Sequence, residues 1–236
     1  MLVDKIILAT RDDELDYLLS GGATVDVTRA YDGDMPFGFF PQKGIDKLTF
    51  KDITIICGSS TSGKYLLLRI IAAKLGIKEA FINMRCFEDY LWLCSIKYTV
   101  HGNRDFPCRM ITRAQCEKYV NDIYSKLDKY DGFGILSLYE SIINEKGIYI
   151  LEDPEIGLST SEQIMLCDLI KDSVEYYGAQ FIILTTSPIF MSLNKLAIYD
   201  MDERPFISRP RSELECFCLY SKHLETWKRK KEKCEI

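Results

Sequence analysis

The sequence has no apolar run near the roughly 20 residues that cross a bilayer as a helix, so it offers no membrane span. It has no surplus of positive charge. At a net charge of −5 there is no overall attraction for nucleic acid or an anionic membrane, and any such contact must come from a local patch. It has no C-x-x-C pair: its nine cysteines are scattered, and an odd count cannot all pair within one chain, which fits a reducing cytoplasm. Histidine is scarce, and His101 has no second histidine or carboxylate at metal-ligand spacing, so it reads as a surface residue. Met1 to Lys5 lacks the long apolar segment of a secretory signal. These absences leave a soluble cytoplasmic protein. Its 236 residues suit one α/β domain over 1–236, with a basic tail from about residue 222 to the end.

What is present centres on Cys57-Gly58-Ser59-Ser60-Thr61-Ser62-Gly63-Lys64-Tyr65, preceded by the apolar run Ile53 to Ile56 and followed by the helical pattern Leu66 to Ile71. A strand feeding a glycine-containing loop that runs into a helix leaves the first N–H groups of that helix unpaired. They can grip phosphate oxygens with the helix dipole behind them. Gly58, Ser59, Ser60, Thr61, Ser62, Gly63, Lys64 and Tyr65 are therefore candidate nucleotide contacts, with Lys64 a point charge toward the β and γ phosphates. The pattern G-x-x-x-x-G-K-[ST] is met except at its last place, where Tyr65 replaces the small hydroxyl residue that ligates Mg²⁺. A phenol oxygen sits at the end of a rigid ring, too far from the backbone for that ligand position. The plainer alternative is a glycine turn between a strand and a core helix, with Lys64 solvated.

In chain order, Leu2 and Ile6 to Leu8 suggest a strand, and Asp12 to Leu19 a helix stopped by Gly21-Gly22. Asp32 to Gly44 reads as a loop whose aromatics Phe37, Phe39 and Phe40 either cap the edge of a core, the commoner use, or offer a stacking face to an adenine ring. Lys47 to Phe50 and Ile53 to Ile56 read as strands, and the helix after the loop buries Leu67, Ile70, Ile71 and Leu75 before Gly76. Ala80-Phe81-Ile82 is a short strand candidate; Phe87 to Thr99 has no assignable pattern, and His101 to Pro107 is a loop. Ala114 to Leu127 and Leu136 to Ile143 are helical. Ile148 to Leu151 and Phe181 to Leu184 are the uninterrupted apolar strands of a parallel sheet. Between them Ser159 and Glu162 form a capping box that starts a helix running to about Tyr177, and Leu196 to Tyr199 is a further strand. Strands alternating with helices predict a doubly wound, mostly parallel α/β sheet flanked by helices, with ligand at the carboxyl ends of the strands.

Taken together, G-S-S-T-S-G-K-Y at 58–65, I-Y-I-L-E-D-P-E-I-G-L-S at 148–159 and F-I-I-L-T-T-S-P at 181–188 resemble the stand-alone ABC-type ATPases. That group is related to the SMC-like AAA-domain P-loop ATPases of bacteria. The match covers nearly the whole chain, with degenerate catalytic motifs. The family's middle motif reads D-E-P-E after the strand and its last reads T-H-S-P. The resemblance implies that Glu152 stands where the family holds Mg²⁺ with Asp, and Asp153 where its Glu orients the attacking water. Exchanging the two acids moves both oxygens by about an ångström, a displacement that can cost on the order of a hundredfold in rate. Glu155 matches the second Glu of that motif and reads as structural. Thr186 takes the place of the family's switch histidine, and a threonine hydroxyl donates a hydrogen bond but does not titrate near neutral pH. Tyr130-Asp131-Gly132-Phe133 lies where the family's signature would reach across a dimer; Gly132 is kept, the serine is not. About 65 residues separate the loop from this turn, too few at about 1.5 Å per helical residue for long coiled-coil arms.

Four departures in one catalytic apparatus, beside an intact phosphate-binding loop, imply an ATP-binding protein with weak or absent hydrolysis, a weakened Mg²⁺ site and closure as a homodimer. If hydrolysis occurs, Glu152, Asp153 and Thr186 are the expected catalytic residues. Two alternatives stand beside this: a non-enzymatic pseudo-ATPase scaffold for a protein partner, and a nucleic-acid-associated ATPase of a defence or mobile-element system. The last draws on the basic run Trp227 to Lys233, which can meet phosphates with Trp227 stacking but reads more simply as a solvated helix end.

Overall fold

In the computed structural model, which describes residues 1–20, 36–80, 82, 86–99, 106–124 and 134–234, the chain forms β1 (Val3–Ile7), α1 (Arg11–Leu19), α2 (Phe39–Gln42), β2 (Lys47–Thr49), β3 (Ile53–Cys57), α3 (Lys64–Lys74), α4 (Phe87–Leu93), β4 (Ser95–Tyr98), β5 (Cys108–Ile111), α5 (Arg113–Tyr124), α6 (Ile135–Ile142), β6 (Ile148–Glu152), α7 (Thr160–Asp172), β7 (Gln180–Leu184), α8 (Pro188–Met191), β8 (Leu196–Asp200) and α9 (Glu215–Cys234). Five strands make a parallel sheet in the order β5-β6-β7-β3-β8. Every residue of β3, β6 and β7 is buried, as expected where helices cover both faces of a parallel sheet.

The alternation of side chains along these strands divides the interior in two. Ile53, Ile55, Tyr149, Leu151, Phe181, Ile183 and Ile198 face one core, with residues of α6 and α7. Ile56, Ile148, Ile150, Ile182, Leu184 and Tyr199 face the other, with α3 and α4. Tyr149 and Phe181 stack across neighbouring strands with ring centroids 5.3 Å apart. Each such fully buried side chain contributes about 1.5–3 kcal/mol of burial free energy.

The second core is shared with a separate antiparallel sheet, β2-β1-β4. This sheet is a finding beyond the sequence reading, which gave strands at Lys47 to Phe50 and Ile53 to Ile56 without assigning them to separate sheets. Gln180 joins the two sheets. Its side-chain oxygen accepts from the N–H groups of Leu2 and Val3 at 2.9 and 2.8 Å, and its Nε2 donates to the carbonyls of Val3 and Lys51, both at 2.9 Å.

Local signals explain most element ends. Thr10 and Asp13 form a capping box at α1, and Ser159 and Glu162 form one at α7. Beyond α7, Ser173–Tyr177 winds as a π-helix turn and ends at Gly178, whose φ of 68° suits glycine. The segment Phe87 to Thr99 resolves into α4 and β4, and β5 was missed in the sequence. Ala80, read as opening a strand, lies instead in the 3₁₀ turn Lys78–Ala80, and Phe81 lies outside the described residues. So do His101 and the signature-like turn from Tyr130 to Phe133. Among the described residues no helix is long and apolar enough to cross a membrane.

Candidate functional site

The loop at 58–65 leaves the carboxyl end of β3 and enters α3, between the ends of β7 and β8, which flank β3 in the sheet. Ser59, Ser60 and Thr61 are exposed; Ser62 and Lys64 are buried. The loop is braced from inside. Lys64 Nζ donates to the Gly58 carbonyl at 2.7 Å, the Lys64 N–H donates to Ser62 Oγ at 3.3 Å, and the Ser62 N–H donates to the Ser59 carbonyl at 3.2 Å. Gly63 has φ +86°, and a Cβ there would run into the ring of Phe39. Phe39 is held over it because Glu14, buried on α1, accepts from the Gly38 N–H at 3.1 and 3.0 Å. Lys43 sits 5.4 Å from the centre of the same ring.

Both acids at the end of β6 are buried, and each meets a side chain of α3. Tyr65 Oη donates to Asp153 Oδ2 at 2.6 Å, and Arg69 Nη2 donates to Glu152 Oε2 at 2.8 Å. Tyr65 and Arg69 are four residues apart, so the helix presents them on one face. Asp153 takes φ +47°, a left-handed conformation that Asp tolerates better than most residues. Its N–H donates to the Leu184 carbonyl at 2.8 Å. The Tyr65 phenol is pushed above its ordinary value, first by burial, then by its hydrogen bond to Asp153 and the charges of Asp153 and Glu152, with Arg113 opposing.

Thr186 lies at the end of β7 but turns to the chain after β6. Glu155 accepts from Thr185 Oγ1 at 2.7 Å, from the Thr186 N–H at 3.0 Å and from Thr186 Oγ1 at 3.3 Å. One carboxylate thus ties two loops together. A further carboxylate reaches the 58–65 loop from beyond β8: Asp202 accepts from the Ser59 N–H and from Ser59 Oγ, the latter at 3.0 Å. Asp202 is itself oriented by its own N–H donating to Asp200 Oδ1 at 2.9 Å.

This donor set does not fit a divalent cation. Mg²⁺ demands oxygen ligands in near-octahedral geometry, whereas Glu152 already faces a guanidinium and the position beside Lys64 carries a phenol hydrogen-bonded to Asp153. Among the described residues no group of three or more His, Cys, Asp or Glu side chains is arranged to hold a metal.

Sequence reasoning brought Tyr65, Glu152 and Asp153 to one place and missed Arg69 and Asp202. Arg69 did leave a signal, a lone cation inside the run Leu66 to Ile71 and one turn beyond Tyr65. Asp202 left none.

Tyr65→Phe tests the phenol contact. Removing the donor to a buried carboxylate should cost about 1–2 kcal/mol in urea unfolding at neutral pH. Because the folded phenol holds its proton more tightly than the unfolded one, its share of stability is complete below about pH 10 and is lost as pH rises through the raised folded value. The variant should therefore lose less stability on going alkaline than the parent; an equal loss in both would show that Tyr65 does not carry this dependence.

No protein-family model matches the chain, and no curated protein matches it. Among solved structures, it is similar to the SMC head domain from Thermotoga maritima, at 14% identity and a TM-score of 0.45, over 85% of this chain and 94% of that one. A likeness of that degree leaves the function to be argued from the site.

Proposed function

We propose that the protein binds ATP through Gly58 to Tyr65 and hydrolyses it weakly or not at all. The observation that carries this reading is the pairing of both β6 acids with α3, Asp153 with Tyr65 and Glu152 with Arg69. Phosphate binding draws on backbone N–H groups, the start of an eleven-residue helix and Lys64. Metal-assisted attack by water needs free carboxylates, and here both are engaged. Binding, orientation and charge neutralisation by Lys64 remain available; activation of water does not. Closure of two copies over nucleotide belongs to the same proposal.

The test is calorimetric titration of ATP into the purified chain with and without Mg²⁺, with phosphate release followed in the same samples. Binding that changes little with Mg²⁺, without steady release, is the expected result. Lys64→Ala should weaken it about 10–100-fold, the value of one charge-assisted hydrogen bond. Mg²⁺-dependent turnover in the parent would overturn the reading.

One observation favours a second reading, the non-enzymatic scaffold. The Asp202 carboxylate already takes the Ser59 N–H and hydroxyl, so the loop is partly filled by the protein's own anion. Failure of ATP to bind the parent, together with tight binding to Asp202→Asn, would favour that reading.

A further inference from the structure

The helix α9 is anchored only at its start. Leu214, fully buried just before it, and Phe217 in its first turn pack into the core that also holds Leu166, Cys167 and Ile170 of α7. From residue 222 to residue 229 every side chain is exposed, yet the helix runs on to Cys234. A helix of fewer than about 12–15 residues is marginal in water without packing, and the surface pair of Arg229 with Glu225, at 4.0 Å, adds little. The exposed length is amphipathic: Phe217, Tyr220, Leu224 and Trp227 are spaced three and four apart and share one face, and the last three are exposed. Lys222, Lys228 and Arg229 lie on the other face. Over Glu215–Cys234 six Lys and Arg residues stand against three Glu, in a chain of net charge −5.

The outer face of α7 has the complementary character. Ile164, Met165 and, in the π-helix turn that prolongs α7, Tyr176 are exposed large apolar groups. They share that face with Asp168, Asp172 and Glu175, all exposed. Residues 160–177 carry four acids against one lysine. That lysine, Lys171, pairs with Asp168 at 2.8 Å, so Asp172 and Glu175 are the acids for a basic neighbour. The 13 residues of α7 and the 5 of its π turn match the 20 of α9 in length. Both faces are exposed, so neither covers the other within one copy.

We propose that α9 of one copy docks on α7 of a second copy, and reciprocally, making a dimer held by two exchanged helices. Both helices run from an apolar half to a charged one: Tyr220 and Leu224 would cover Ile164 and Met165, and Lys228 and Arg229 would face Asp172 and Glu175. Because α9 is rooted on the α7 side of the sheet, a two-fold axis lets each helix reach the other copy's α7. Charge disfavours α9 against α9. Side by side in parallel, the two would set base against base; antiparallel, they would set the bases against a half whose one acid is Glu215.

The test is sedimentation velocity of the full chain without nucleotide, in reductant so that the exposed Cys216 and Cys218 cannot cross-link copies. A monomer–dimer equilibrium that weakens as salt rises is expected. Leu224→Glu should weaken it about tenfold or more, and so should Asp172→Lys with Glu175→Lys. These are surface changes, so thermal unfolding should match the parent. Adding Lys228→Glu and Arg229→Glu to the α7 pair should return the dimer to within about threefold of the parent. Because no ATP is present, the result stands apart from whether the loop binds nucleotide. A parent that stays monomeric up to its solubility limit would overturn the proposal, as would a dimer that Leu224→Glu or the α7 pair leaves intact. A monomeric parent that co-sediments with phosphatidylserine vesicles, when Leu224→Glu does not, would assign α9 to a membrane surface and overturn it equally.

Discussion

Gly63→Ala is expected to lower stability by about 2–5 kcal/mol and to abolish the ATP binding proposed above. Two costs add. A residue with a Cβ at φ +86° pays about 1–2 kcal/mol for the left-handed conformation. The new carbon would also run into the Phe39 ring, and overpacking of this kind costs about 1–3 kcal/mol. Gly76 supplies the control: its φ is +84°, but nothing lies within 4 Å of the position its Cβ would take. Gly76→Ala should therefore show the conformational cost alone. Urea unfolding of both variants measures the difference, and equal losses would mean that Phe39 yields freely. A double-mutant cycle with Phe39→Leu should recover a coupling of about 1–3 kcal/mol if the ring is the obstacle.

Arg69→Ala should cost about 2–4 kcal/mol, because it leaves the Glu152 carboxylate, only 9% exposed, without its cation. Replacing both partners with apolar residues, Arg69→Met with Glu152→Met, should return to within about 1 kcal/mol of the parent, since a pair removed whole strands no charge. The single variant also frees an acid beside the loop. It should gain a Mg²⁺-dependent rise in stability, which binding linkage converts to an affinity, whereas the parent should show none. A parent that Mg²⁺ stabilises as much as the variant would show that Arg69 does not exclude the ion.

The fold was legible where one element carries its own pattern. The runs of β6 and β7, the Ser159 capping box and the strand–loop–helix at 53–71 each need only short-range information. β5 was not legible: Cys108–Ile111 is a sheet edge with Arg109 in it, whose guanidinium reaches the Ile142 carbonyl at 2.9 Å and Glu145. An edge strand need not be apolar on both faces. In the site, the residue types at 58–65 and 152–153 follow from spacing, but their partners do not. Arg69 meets Glu152 because α3 packs across the end of β6, and Asp202 meets Ser59 because β8 lies beside β3. Both depend on the strand order, which no periodicity reveals.

The clasp at Gln180 has a consequence for how the protein is made. Leu2 and Val3 are synthesised well before their partner: the amide that accepts their N–H groups lies 178 and 177 positions later in the chain. At about 5–20 residues per second, β1 waits on the order of ten to forty seconds for that partner, so the two sheets can be joined only after β7 has been made.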